Sequence, residues 1–351
     1  MKSRYSFVSL DSGNAQVKCL TAEGETVFPH SLNLLSEREQ INLKERNDRM
    51  EDDNDSVYQV NGTWYKVGAK ALRSGAGSAL YGEARYKKDY YGVLAAIAMY
   101  KTFETSKNNV YLYGSHTPKD LIYRQDLVNA AKGKWTVKNG STVKTFNVIA
   151  GAGADEPNLA YRHATLAADG RSYQGELILR RGDVLICDIG GFTLGISVAS
   201  SGKIDYDSSQ TYVTGILDVI DNVRDAIRAN FRKELKGANT LDGMRLRAAL
   251  QTGQYDAAAL GMLNVSHEVQ SACDLLMRDI LQFYEQYGGA STFHSILICG
   301  GGGALMEHHI RRVIDHPHIY VADACRERMH FATVSGGMKV LRVLDESGRL
   351  E

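Results

Sequence analysis

The sequence has no excess charge of either sign, no paired cysteines and no long apolar run. Its 351 residues hold 41 Lys+Arg against 41 Asp+Glu, so the chain as a whole has no pull toward nucleic acid or an anionic membrane. Five cysteines (Cys19, Cys187, Cys273, Cys299 and Cys325) are odd in number, scattered and without a CxxC. That pattern argues against a disulfide framework, and the three in apolar, strand-like runs read as reduced core thiols of a cytoplasmic protein. No apolar stretch reaches the roughly 18 residues that a membrane helix needs. The opening MKSRYSFVSLDSGNAQ lacks the apolar core of a signal peptide. What is present is 44% hydrophobic and 23% charged residues, enough apolar content for a sizeable core. The length is about twice that of a typical domain, which predicts two domains or one large bilobal one. Glycine is the outlier at 34 residues, marking many tight turns or close backbone approaches.

Along the chain, Tyr5–Leu10 reads as a strand running into Asp11-Ser-Gly-Asn-Ala15, with a second strand from Gln16 to Leu20 closing a hairpin. Residues 37–55 carry four positive and eight negative charges with few apolar positions, and read as a solvated loop or frayed helix. Val57–Val60 and Thr63–Val67 alternate around Asn61-Gly62, the strongest local hairpin signal in the chain. A buried helix is expected over Lys88–Phe103, a strand over Val110–Gly114 and a hairpin over Lys134–Val148. Gly151–Ala160 is then a loop entering a helix that runs to about Ala168. From Asp183 the opening pattern returns: strand Val184–Cys187, then Asp188-Ile-Gly-Gly-Phe-Thr-Leu-Gly195, then a strand to Ser200. The two aspartates, Asp11 and Asp188, lie about half the chain apart, a period suited to a duplicated domain. Helices fit Ile216–Leu235, Leu241–Leu250 and Val265–Tyr287. They are followed by a buried strand Ser295–Cys299, a helix Leu305–Val313, a short strand Ile319–Val321 and a terminal helix Phe331–Leu344. Mixed strands and helices without simple alternation indicate two related α/β lobes.

Three segments carry chemistry. Asp11-Ser12-Gly13-Asn14 and Asp188-Ile-Gly190-Gly191-Phe-Thr193 each set an acid beside a glycine-bearing bend. Backbone N–H groups in such a bend can converge on phosphate oxygens, and an aspartate at the strand end can hold Mg²⁺ through its waters. Lys18 could add a point positive charge toward the phosphates. Either bend alone is also an ordinary hairpin turn; two of them in a duplicated unit weaken that reading. The third segment, Ile296–Ala304, runs from a buried strand through four glycines toward a helix, where a flat ligand or phosphate can lie against bare backbone. It matches neither G-x-G-x-x-G nor a Walker loop.

Asp11–Lys18 (DSGNAQVK), Asp188–Gly195 (DIGGFTLG) and Leu297–Ala304 (LICGGGGA) resemble the phosphate-1, phosphate-2 and adenosine motifs of the actin/Hsp70/sugar-kinase superfamily, in order and spacing. Within it the chain is most similar to the prokaryotic actin-like proteins, particularly the ParM-type plasmid-segregation actins. The length, the Asn61-Gly62 hairpin continuing to Gly68 and the D-I-G-G-x-T form carry that closer resemblance, which spans nearly the whole chain. It implies an α/β actin-like fold: two related, duplicated ribonuclease H-like lobes around a nucleotide cleft. Domain I would comprise residues 1–168 with the C-terminal helix 334–351 returning to it, and domain II residues 169–333. It also implies a cytoplasmic ATPase that binds ATP/ADP and Mg²⁺, self-associates into filaments with ATP, disassembles after hydrolysis and moves plasmid DNA through a DNA-binding adaptor. Direct nucleic-acid or membrane contact is not implied, and the polar tail Leu344–Glu351 lacks a membrane-binding amphipathic helix.

Carried over by position, Asp11 and Asp188 would organise the metal and its waters. Ser12, Gly13, Asn14 and Lys18 would hold the β-phosphate side, Gly190, Gly191 and Thr193 the γ side, and Gly301, Gly302 and Gly303 would border the adenosine. Glu156, in Asp155-Glu-Pro-Asn before a helix, is the candidate for orienting the attacking water. An acid in the first turn of a helix is equally explained by the helix dipole. Lys233 and Glu234 resemble a ribose-contacting pair, or are a charged pair on a solvated face. Phe192 stands where a small residue is usual, Gly195 where many relatives carry Asp, and Ala332–Gly337 keeps only the small-residue character of the usual terminal run. His308, His309, His316 and His318 cluster in sequence, but adjacent helical positions do not face one site. The alternatives in the same superfamily are a small-molecule or sugar kinase and a nucleotide-binding scaffold without turnover.

Overall fold

In the computed structural model, residues 4–46, 56–68, 71, 85–170, 172–235, 241–323 and 325–350 are described. The chain divides into two compact units, Met1–Gln174 with Thr333–Glu351, and Gly175–Ala332.

The first unit is built on β1 (Ser6–Ser12), β2 (Gln16–Thr21), β3 (Glu25–Pro29) and β4 (Leu32–Leu34), followed by α1 (Glu37–Arg46), β5 (Val57–Val60) and β6 (Thr63–Val67). Then come a wide turn, Lys88–Gly92, α2 (Val93–Thr102), β7 (Lys107–His116), α3 (Arg124–Ala131), β8 (Gly133–Asn139), β9 (Thr142–Asp155) and α4 (Glu156–Thr165). The nine strands form one sheet in the order β3-β2-β1-β7-β9-β8-β5-β6-β4. β1, β7 and β9 run parallel, while β1 pairs antiparallel with β2. Alternation along β1 and β7 serves two cores. Val8, Leu10, Val110 and Leu112 pack with α2 on one face, whereas Tyr111 and Tyr113 pack with Leu159 of α4 and Met338 and Leu341 of the terminal helix, Ala332–Glu346, on the other. Every residue of α2 from Val93 to Met99 is buried, which accounts for its lack of a polar stripe.

The second unit contains β10 (Asp183–Ile189), β11 (Leu194–Ser200), β12 (Lys203–Tyr212), α5 (Ile216–Asn230) and α6 (Gly243–Thr252). These are followed by a short hairpin of β13 (Gln254–Asp256) and β14 (Met262–Asn264), then α7 (Ser266–Gln286), β15 (Ser295–Cys299), α8 (Gly303–Val313) and β16 (Ile319–Val321). Its sheet order is β12-β11-β10-β15-β16, with β10, β15 and β16 parallel and the other pairs antiparallel. That repeats β3-β2-β1-β7-β9 strand for strand and direction for direction. The repeat expected from the two Asp-bearing bends is therefore a repeat of topology.

Several expectations need correction. Gly151–Asp155, expected as a loop, is the end of β9. A Cβ on Gly151 would sit 2.7 Å from the Leu112 carbonyl oxygen, so the strand packs through small residues and shows no apolar alternation. β7 extends to His116 rather than ending at Gly114. The helix expected over 88–103 is regular only from Val93, and that over 216–235 stops at Asn230. Glu37–Arg46 is helical, while residues 47–55 lie outside the described residues. β12 went unanticipated because, as a polar edge strand, it lacks an apolar face to read. Asn61 (φ 48°) and Gly62 (φ 89°) form the expected two-residue turn. Cys19, Cys187, Cys273 and Cys299 are buried and Cys325 is exposed, all as free thiols. Among the described residues no helix is long and apolar enough to cross a membrane.

Candidate functional site

In the first unit, the C-terminal ends of the parallel strands β1, β7 and β9 bring Ser12, His116 and Asp155 to one sheet end, with His116 and Asp155 paired in register. Such ends are where open α/β sheets bind ligands. Asp11 and Lys18 are direct cross-strand partners in the β1–β2 hairpin, and Lys18 Nζ lies 2.8 Å from Asp11 Oδ2. Ser115 Oγ donates to Asp11 Oδ1 at 2.8 Å. Both carboxylate oxygens of this buried residue therefore have a donor. Lys18, expected toward the phosphates, is held by Asp11 beside the bend.

The bend itself is held from outside. Buried His30 donates from Nδ1 to the Gly13 carbonyl, and Arg85 donates from Nη1 to Asn14 Oδ1 at 3.0 Å. Burial, with the Arg85 charge beside it, pushes the His30 pKa down to about 4, so the ring is neutral at pH 7. Ser12 Oγ is buried without a hydrogen-bond partner among the described residues. His116 is fully buried. Its Nδ1 sits 2.8 Å from the Thr117 carbonyl and so carries the proton, leaving Nε2 as a buried acceptor without a partner among the described residues. Burial lowers its pKa.

Glu156 is the first residue of α4, but it does not cap the helix. Asp155 does, accepting from the Asn158 backbone N–H at 2.9 Å. Glu156 remains an acid in the first turn of α4, half-buried beside the strand ends.

In the second unit, Asp188 sits near the end of β10, buried, opposite Gly195 of β11. The bend after it closes by a Gly190 N–H bond to the Thr193 carbonyl at 2.8 Å. The first N–H groups of α5 donate back to this bend, Ile216 to the Gly190 carbonyl (3.0 Å) and Leu217 to that of Gly191 (2.9 Å). The four glycines after β15 are not equivalent. A Cβ on Gly300, at φ +80°, would lie 2.3 Å from Asp188 Oδ1, and one on Gly302 would lie 2.6 Å from Ile189 Cγ2. Gly303 faces Ile298 at 2.9 Å, whereas Gly301 meets only His330 Cβ at 3.4 Å. Packing thus accounts for three of the glycines and leaves room beside Gly301. Lys233 and Glu234 lie beyond the end of α5 and are exposed.

Asp11, Ser12, Gly13, Asn14, Lys18 and Glu156 therefore fall in the first unit. Asp188, Gly190, Gly191, Thr193, Lys233, Glu234 and Gly301–Gly303 fall in the second. Ser115, His116, Arg85, His30 and Asp155 were missed. The one signal for the first two was the apolar strand running to Gly114, whose next residues are polar. Among the described residues no three His, Cys, Asp or Glu side chains group as a metal site, and His309 and His316 each donate to a backbone carbonyl. The buried carboxylates of Asp11 and Asp188 are the oxygen donors that a hard cation such as Mg²⁺ takes.

No protein-family model and no curated protein matches the sequence. Solved structures do. Apo pSK41 ParM superposes with a TM-score of 0.70 at 14% identity, covering 98% of this chain and 99% of that one. The archaeal actin homologue Ta0583 gives 0.69 at 15% identity over 98% and 99%, and Bacillus thuringiensis ParM with ATP gives 0.69 at 12% over 98% and 99%. Full-length likeness at such low identity carries the fold, and together with the duplicated five-strand order it identifies the chain as having the two-lobed actin-like fold of the ParM-type proteins.

Proposed function

We propose that this chain is a Mg²⁺-dependent ATPase that assembles into filaments with ATP, disassembles after hydrolysis and segregates plasmid DNA through an adaptor. The observation that carries the reading is the repeated bend. An aspartate precedes a glycine turn at the ligand-binding end of each unit's parallel strands, in two sheets of the same order. Support for the finer parts comes from relatives in fold. One is a ParM with ATP, and two others are a 15-stranded ParM filament from Clostridium botulinum and an Alp12 filament.

In this reading Ser12, Gly13, Asn14 and Lys18 hold the β-phosphate side, Gly190, Gly191 and Thr193 the γ side, and Gly301–Gly303 the adenosine, with Lys233 and Glu234 near the ribose. Asp11 and Asp188 would hold Mg²⁺, which when bound would offset negative charge on the phosphates. Glu156 orients a water in line with the γ-phosphorus. The new P–O bond forms as the bond to the β-phosphate oxygen breaks, releasing ADP and phosphate, and Glu156 accepts the hydrogen bond of the water.

Sedimentation and phosphate release with Mg-ATP and no added acceptor test this, alongside Asp188→Ala. Pelleting with phosphate release is expected for the wild type, and a loss of release of at least about 100-fold for the variant. Phosphate transfer only when a sugar is added, without pelleting, would overturn the filament reading in favour of a kinase. Pelleting without release would make the chain a scaffold.

A further inference from the structure

Arg85 is 1% exposed, and its one hydrogen bond among the described residues goes to a neutral amide, Nη1 to Asn14 Oδ1 at 3.0 Å. Its Nε and Nη2 are buried without any partner among the described residues. A guanidinium does not give up its proton in a protein, so this is a permanent charge withdrawn from water whose one hydrogen-bond acceptor among the described residues is an amide. Natural structures rarely leave such a group incomplete unless something not always present completes it.

The geometry of the free edge says what that is. Nε and Nη2 together form the side-on fork of an arginine, two parallel N–H bonds that match two oxygens of one phosphate or carboxylate. The bonded Nη1 fixes the plane from the other edge, anchored on Asn14 in the bend after β1. The Tyr86 ring lies 5.5 Å from the guanidinium carbon, near enough to stack against the charge. Burial alone would lower the Arg85 pKa, but Tyr86, Glu156, Asp11 and Asp120 act against it and leave the pKa raised. The guanidinium thus stands among the bend, Asp11 and Glu156, within the first unit.

We propose that Arg85 is a substrate-binding residue whose Nε/Nη2 fork takes two oxygens of the terminal phosphate of a nucleoside triphosphate. The proposal rests on the nucleotide reading above and adds a preference for the triphosphate over the diphosphate. Arg85 interacts electrostatically with Glu156, the residue that in the nucleotide reading orients the water attacking the terminal phosphate; a diphosphate lacks the group that would fill the fork.

The test is calorimetric binding of Mg-ADP and of the non-hydrolysable Mg-AMPPNP to the full chain, comparing the wild type with Arg85→Gln and Arg85→Lys. Arg85→Gln is expected to weaken AMPPNP by about 10- to 100-fold, the range for lost hydrogen bonds to a charged group, and ADP by less than about threefold. Arg85→Lys keeps the charge but not the fork, and its triphosphate preference should still fall by about fivefold or more. The readout is the ratio of the two affinities, because a general loosening of the bend would weaken both ligands together. An unchanged ratio in the variants, even with a lowered melting temperature, overturns the proposal and makes Arg85 a clasp on Asn14. If Arg85→Gln does not fold, Arg85→Lys alone decides. A wild type that binds neither ligand overturns the nucleotide reading and this proposal with it.

Discussion

The four glycines after β15 look interchangeable in sequence, and the structure predicts that their alanine variants will behave very differently. Gly300 is at φ +80°, and a Cβ there would approach Asp188 Oδ1 to 2.3 Å and the Ile189 carbonyl oxygen to 2.4 Å. The left-handed backbone alone costs alanine about 1 kcal/mol. Pushing a carboxylate and a backbone carbonyl aside in a packed sheet end adds about 1–3 kcal/mol. Gly300→Ala should therefore lose about 2–4 kcal/mol, which for a protein of this size lowers the melting temperature by roughly 3–5 °C. It should also displace the Asp188 carboxylate and, in the proposed ATPase, depress phosphate release. Gly301→Ala meets only His330 Cβ at 3.4 Å and should change stability by no more than about 0.5 kcal/mol. If adenosine lies along that open side, nucleotide affinity should drop in Gly301→Ala while the melting temperature holds. Thermal melting by far-ultraviolet circular dichroism, paired with nucleotide titration, reads both effects. Equal melting temperatures for the two variants, or a Gly300→Ala protein melting within about 1 °C of wild type, would refute the reasoning.

Two further outcomes follow from groups outside the motifs. His30, with its pKa pushed to about 4 by burial, takes a proton near pH 6.5 only when unfolded. Between those values the unfolded chain holds the extra proton, so the stability His30 contributes is complete above about pH 6.5. It is lost as the pH falls toward 4, by up to about 1.4 kcal/mol per pH unit. Urea unfolding at several pH values should show this slope reduced by about one proton in His30→Gln, and an unchanged slope would contradict it. Lys339 of the terminal helix is buried and donates from Nζ to the carbonyls of His163 (2.7 Å) and Leu166 (2.5 Å) at the end of α4. Lys339→Met leaves both carbonyls without that donor and should cost about 2–3 kcal/mol; a urea midpoint equal to wild type would show that the cation holds nothing there.

Much of the fold was legible because its signals are local. The Asn61-Gly62 hairpin is set by two residues that tolerate positive φ, and the Asp-bearing bends by an apolar strand that runs through an aspartate to a glycine. Burial of β15 shows in the apolar run Ile296–Cys299. The site was legible only where its residues are consecutive. Arg85 meets Asn14 across 71 positions and Ser115 meets Asp11 across 104, and no local pattern marks such pairs. The end of β9 was misread for a related reason, since its small residues reflect how closely β7 lies beside them.

The sequence by itself therefore determined the duplicated α/β plan and the three bends, because turn geometry and strand period depend on neighbouring residues. Only the tertiary structure decided which glycine guards Asp188, which acid caps α4 and which buried arginine bonds Asn14. Those depend on what distant strands bring within about 3 Å, the reach of a hydrogen bond.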